Sequence, residues 1–129
     1  MDVTIKEKGI LFRIRRTYHR GMDAQSLYEA TRGVWRLGKR RQEARYAFAL
    51  SGSEIVEVYE IEEWLPAGTL SYLTRNAQSF DRSRWEFKGQ IAPPAIREKY
   101  VGQTVSPTLL KGANPTLYTW SVKKELEGV

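Results

Sequence analysis

The stretch from Tyr46 to Trp64 limits the fold of this chain more than any other. Tyr46 to Leu50 and Ile55 to Trp64 are rich in aromatic and β-branched residues, and they flank Gly52-Ser53. Such runs suit strands, and glycine reaches the positive φ of a tight turn without steric cost, so the stretch predicts a β-hairpin. The residues that lead into it are of another kind. Arg32, Arg36, Lys39, Arg40, Arg41 and Arg45 lie between Thr31 and Arg45, opposed only by Glu43, with Trp35 inside the cluster. A basic aromatic loop is thus delivered into a hydrophobic hairpin.

The elements around the hairpin follow from periodicity. Ile10 to Arg15 alternates, with Ile10, Phe12 and Ile14 on one face, and predicts a strand. Asp23 is a good N-cap for a helix over about Ala24 to Arg32, and Gly33 is placed to follow its C-cap. Leu65 to Gly68 breaks the hairpin's second strand. Thr69 to Thr74 predicts a short edge strand, and Arg75 to Ser83 an exposed loop. Arg84 to Ile91 predicts another strand, with Trp85, Phe87 and Ile91 inward. Pro93 and Pro94 suit a helix start, Ala95 to Tyr100 a short helix and Gly102 its end. A loop from Ser106 to Pro115 and a last strand from Leu117 to Val122 complete the chain before a charged tail, Lys123 to Val129. The sum is an α+β domain: a small curled sheet, mixed or antiparallel, able to close into a barrel, with two or three short helices. At 129 residues, with 41% hydrophobic side chains, a single domain over residues 1–129 is expected.

Composition removes several functions. No cysteine is present, which excludes disulfide scaffolds and thiolate metal sites. The sole histidine, His19, lies in a basic segment without a nucleophile motif near it. Glu57, Glu60, Glu62 and Glu63 read as the solvent face of a strand rather than as metal ligands, and no Walker loop or dinucleotide fingerprint occurs. No catalytic residue, metal or cofactor is therefore assigned. No apolar run reaches membrane-spanning length and the N-terminus lacks a signal-peptide core, so a cytoplasmic protein without membrane contact is expected.

The positive signal is basic residues interleaved with aromatics. Net charge is +6 and the pI about 9.7, with the bases in Arg13 to Arg20 and in residues 32–45. Nucleic-acid binding needs cations for phosphate and flat side chains for unstacked bases. Arg36, Lys39, Arg40, Arg41 and Arg45 are the candidate phosphate contacts, with Arg13, Arg15 and Arg16 as a second set. Trp35 and Trp64, with Tyr28, Tyr46 and Arg32, are the candidate ligand pocket. Trp35 is expected to be partly exposed and Trp85 to be core.

Leu27 to Arg36, Ala44 to Ala47, Glu57 to Trp64, Arg84 to Gly89, Arg97 to Gly102 and Asn114-Pro115 together resemble a small uncharacterised bacterial domain. That domain is similar to the segment following a GIY-YIG-type nuclease domain, over about residues 10–118. The nuclease part is absent from this chain. A looser resemblance, in the succession of helix, Trp-containing loop and long hairpin, is to the PUA-like superfamily with its EVE, ASCH and YTH members. It implies an aromatic pocket walled by Trp35 and Trp64, with Arg32 or Arg36 at a base edge or phosphate. The expected partners are RNA or DNA. The alternatives are a defence-associated accessory module holding a nucleotide ligand or an acidic protein partner, and a hydrolase or nuclease.

Overall fold

The computed structural model describes residues 2–14, 21–73, 81, 83–112 and 114–120. Among the described residues, five strands form one sheet: β1 (Gly9–Arg13), β2 (Tyr46–Ser51), β3 (Glu54–Pro66), β4 (Trp85–Ile91) and β5 (Thr116–Tyr118), in the order β4-β3-β2-β1-β5. Within this sheet of described residues, β1 and β2 run parallel and the other neighbouring strands pair antiparallel. The class is α+β and the mixed alternative is the one realised. The sheet is open, with β4 and β5 as its edges, so barrel closure is not attained.

A parallel pair needs a crossover, because a tight turn can join only antiparallel strands. That crossover carries helix α1 (Ala24–Arg32) and the basic loop, including a 3-10 turn at Lys39–Glu43. Asp23 caps α1 as expected: the Ser26 N–H donates to Asp23 Oδ1 at 2.7 Å, and that bond holds the Asp23 carboxyl below its ordinary pKa. The hairpin forms over β2 and β3, turning at Gly52 with φ +60°.

The period-2 alternation of the central strands sends side chains into two cores. Ile10, Phe12, Ala47, Tyr59 and Phe87 pack with Tyr28, Trp35 and Trp64 on one face. Leu11, Phe48, Leu50, Ile55 and Val58 pack with Val105 and with Tyr100 of α2 (Pro94–Tyr100) on the other. Phe48 and Tyr100 meet edge-on, with ring centroids 5.5 Å apart.

Several expectations change: the last strand, expected over Leu117 to Val122, spans Thr116–Tyr118, with Thr119 and Trp120 beyond it and residues 121–122 outside the described residues. Thr69 to Leu73 form no strand, and Thr74 lies outside the described residues. The amides there are taken by buried carboxylates instead of a neighbouring strand. Glu86, wholly buried, accepts from Gly68 N (3.1 Å), Leu70 N (2.5 Å) and Tyr72 Oη (2.7 Å). Glu29, also wholly buried, accepts from Leu73 N at 3.0 Å and from Gln25 Nε2 at 2.6 Å. Ile91 is 49% exposed rather than inward, because it ends an edge strand. Gly33 is extended (φ −165°), so no left-handed cap requires it. Space does: a Cβ there would run into the Tyr72 hydroxyl and stand 3.0 Å from Glu86 Cβ. Among the described residues no helix is long and apolar enough to cross a membrane.

Candidate nucleic-acid interface

The basic loop bonds both to β4 and to the residues that follow β5. Trp35 pairs with Trp85 through both backbone groups, N to O at 2.9 Å and O to N at 2.7 Å, which ties the loop to β4. The 3-10 turn then carries two consecutive arginines to opposite edges. Arg41 lays its guanidinium on the Trp85 ring, 3.5 Å from the centroid, at the β4 side. Arg40 lies over Tyr118 (4.4 Å) and Trp120 (5.2 Å) at the β5 side and donates from Nη2 to the Trp120 carbonyl at 2.9 Å.

The two arginines do different work. Arg41 is 8% exposed and donates from Nη1 to Gly38 O at 2.9 Å. Its Nε has no partner, and it forms no ion pair among the described residues. Burial lowers its pKa, since desolvation disfavours the charged form. A side chain so enclosed does not meet a phosphate in this conformation. Arg32 is similar: 7% exposed, it lies against Tyr28 (4.9 Å) and Tyr72 (4.4 Å) and donates to the Ser71 carbonyl. Arg40 is half-buried and keeps a face toward solvent.

The remaining phosphate candidates are on the surface. Arg36, Lys39 and Arg45 are exposed. Arg36 and Arg84 act on Asp81, whose carboxyl is held below its ordinary pKa mainly by the Ser83 amide and hydroxyl. Arg45 pairs loosely with Glu60 at 3.3 Å and approaches the Tyr46 ring at 5.4 Å. In the second set, Arg13 donates to the carbonyls of Gly112 and Asn114, while Arg15, Arg16, His19 and Arg20 lie outside the described residues.

The aromatic candidates come together, but around the core. Trp35 packs on Phe12 with centroids 4.8 Å apart, and its indole N–H donates to Thr31 O at 2.7 Å. Trp64 meets Phe87 edge-on at 5.5 Å, and its N–H donates to Arg41 O at 3.0 Å. Both are half-buried and serve as packing for the loop. Trp85, expected in the core, is half-buried as well. Tyr46 is buried on the opposite face. Of the five ligand candidates, Tyr28 lines a cavity.

Two residues outside the sequence-derived set complete the β5 edge. Trp120 is half-buried, packs on Tyr118 at 5.0 Å and has Lys8 Nζ 5.3 Å from its ring centroid. Burial raises the Tyr118 pKa, while Arg40 and Arg41 pull it down. Trp120 itself lines a cleft of about 630 Å3, together with residues 2–5, Val105, Ser106, Thr108, Leu109, Tyr118 and Thr119. Lys8 and Trp120 face each other only because β1 pairs with β5, a contact between chain ends that no local pattern announces. Of the four strand glutamates weighed as carboxylate ligands, Glu57 pairs with Arg97 at 2.8 Å and Glu60 with Arg45 at 3.3 Å, while Glu62 and Glu63 are exposed.

No protein-family model matches the chain, and no curated protein and no solved structure matches it either.

Proposed function

We propose that the chain binds single-stranded nucleic acid at the β5 edge, with one base on Trp120 and phosphates on Lys8, Lys39 and Arg40. The observation that carries this reading is the pair of cations, Lys8 and Arg40, set over one half-buried tryptophan that lines a cleft. Magnitudes favour a base over the resident lysine. An exposed cation–π contact contributes about 0.5–1 kcal/mol, and the exposed pair of Lys8 with Glu43 at 3.3 Å adds about 0–1. A base stacked on an aromatic ring contributes about 1–3 kcal/mol by alanine substitution. A base therefore displaces Lys8, and the freed ammonium pairs with the phosphate of the same nucleotide. Arg40 stays, held by the Trp120 carbonyl and the Tyr118 ring. Kinship with PUA-like domains remains part of this proposal, supported by the α+β class and the basic loop alone.

The test is a salt titration of a short labelled oligonucleotide. Log K falls linearly with log salt, by about 0.7 per phosphate neutralised on a single strand. Changing Lys8 and Lys39 together to Ala reduces that slope by about 1.4. Binding with no salt dependence would exclude phosphate contacts and favour an accessory module with another partner.

A further inference from the structure

The two edges of the sheet are finished differently. On β4, Trp35 takes the outward main-chain groups of Trp85. The Tyr28 hydroxyl takes those of Gly89, donating to Gly89 O at 2.9 Å and accepting from Gly89 N at 3.0 Å. On β5, register decides which groups face out. The Arg13 N–H donates to Pro115 O and the Thr119 N–H to Gly9 O, so residues 115 and 119 turn their main chain toward β1. Antiparallel pairs alternate between bonded and non-bonded positions, and Thr116 and Tyr118 stand opposite Phe12 and Ile10 at the non-bonded ones. Their N–H and C=O groups therefore point away from the sheet and meet no partner among the described residues. We propose that this open edge of β5 binds an extended acidic peptide, which adds to the sheet as a further strand.

The exposed groups select the class of partner. A row of alternating main-chain donors and acceptors is matched by the main chain of another extended strand. A phosphodiester linkage offers acceptors only and leaves the Thr116 and Tyr118 carbonyls unanswered. The two faces of β5 then set the side chains. On one face Leu117, with Val3 and Ile5, packs against the Phe48 core, and the cleft there carries Leu109, which is 57% exposed. On the other face the Arg40 guanidinium lies 4.4 Å from the Tyr118 ring centroid, and Lys8 lies over Trp120. A strand added with period 2 presents apolar side chains to the first face and acidic ones to the second. Charge also argues against a second copy of β5 as the occupant. Two such edges would bring the Arg40 and Lys8 of both chains together, on chains of net charge +6, and like charges across a strand pair are destabilising. The peptide does not rest on the nucleic-acid reading: it bonds to main chain at Thr116 and Tyr118, and Arg40 is the group common to both.

The experiment follows the backbone amides of the whole chain by NMR during titration with the blocked peptide acetyl-Glu-Val-Glu-Val-Glu-amide, with acetyl-Lys-Val-Lys-Val-Lys-amide as control. Saturable shifts are expected at Thr116 and Tyr118. Solvent exchange of these two amides is expected to slow about tenfold at a peptide concentration about ten times its Kd. The basic control is expected to shift neither. Two further peptides carry N-methyl groups, one at the valines and one at the glutamates. Alternate residues of an added strand face β5, so one of the two is expected to bind at least about tenfold more weakly, and the other to bind as the parent does. Thr116→Pro removes one outward N–H at an edge position, where proline is tolerated. It is expected to weaken the parent peptide about 2- to 10-fold at an unchanged melting temperature. Absence of saturable shifts, equal binding of the two methylated peptides, equal shifts by the basic control, or largest shifts away from β5 would each overturn the proposal. So would a short oligonucleotide that protects the Thr116 and Tyr118 amides where the peptide does not.

Discussion

Replacing Arg41 by methionine tests how the basic loop is used. The change keeps an unbranched stem of similar length and removes the charge. Lost are the stack on Trp85, about 2 kcal/mol for a desolvated cation–π contact, and the hydrogen bond to Gly38 O, about 1.5–3 kcal/mol for a charged donor. Regained is the desolvation penalty of an ion that is 8% exposed and has no carboxylate partner among the described residues, several kcal/mol in real proteins. The two sides nearly cancel, so stability is expected to move by no more than about 1–2 kcal/mol in either direction. A melt reads this directly, since 1 kcal/mol shifts Tm by about 4 °C for a chain of this size. Oligonucleotide affinity and its salt slope are expected to stay unchanged. A loss beyond about 12 °C would show that the cation itself holds the loop between the sheet edges. A flatter salt slope would put Arg41 on a phosphate and refute its assignment to packing.

Three further outcomes follow from named contacts. Trp35→Ala removes the stack on Phe12 and the bond to Thr31 O and is expected to cost about 3–5 kcal/mol in urea unfolding, whereas Lys39→Ala, fully at the surface, is expected to stay within about 0.5 kcal/mol. Glu86→Ala leaves Gly68 N, Leu70 N and the Tyr72 hydroxyl without their acceptor; at about 1–3 kcal/mol for each unsatisfied group, a loss of at least about 3 kcal/mol is expected, with hydrogen exchange rising first at 68–72. Burial pushes the Glu7 carboxyl up, but bonds from Tyr100 and Lys99 outweigh it and its pKa lies below the ordinary value, as does that of Asp23. A carboxylate whose folded pKa is depressed stabilises the fold above its unfolded pKa and loses that stabilisation as pH falls through the folded one, so Tm is expected to be level above pH about 5 and to drop below pH about 4. Glu7→Gln is expected to flatten that drop.

Local patterns were legible where local physics decides. Asp23, the span Ala24 to Arg32, the Gly52 turn and the hairpin all stand where capping, periodicity and glycine freedom put them. What escaped were contacts distant in sequence. Glu86 reads as a solvent residue of an alternating strand, yet it is buried because the 67–73 segment returns to use it as an acceptor. Arg41 reads as one of several equivalent cations, yet its neighbour Arg40 turns to the opposite sheet edge, and only the pairing of the loop with Trp85 decides which is enclosed. Trp35 and Trp64 sit in the loop and hairpin that a pocket would use, but both indoles donate to backbone carbonyls and pack around Phe12 and Phe87. Trp120 comes to lie against Lys8 because β5 pairs with β1, across more than a hundred residues.

The most direct measurement compares wild type with Trp120→Leu in fluorescence anisotropy on a short labelled single strand, over a salt series, with melts to show that both are folded. The account predicts that the variant binds about 5- to 150-fold more weakly, the worth of one base–aromatic stack, at an unchanged salt slope, because Lys8, Lys39 and Arg40 still meet the phosphates. Equal affinity of the two proteins would contradict it, and so would the absence of salt-sensitive binding by the wild type.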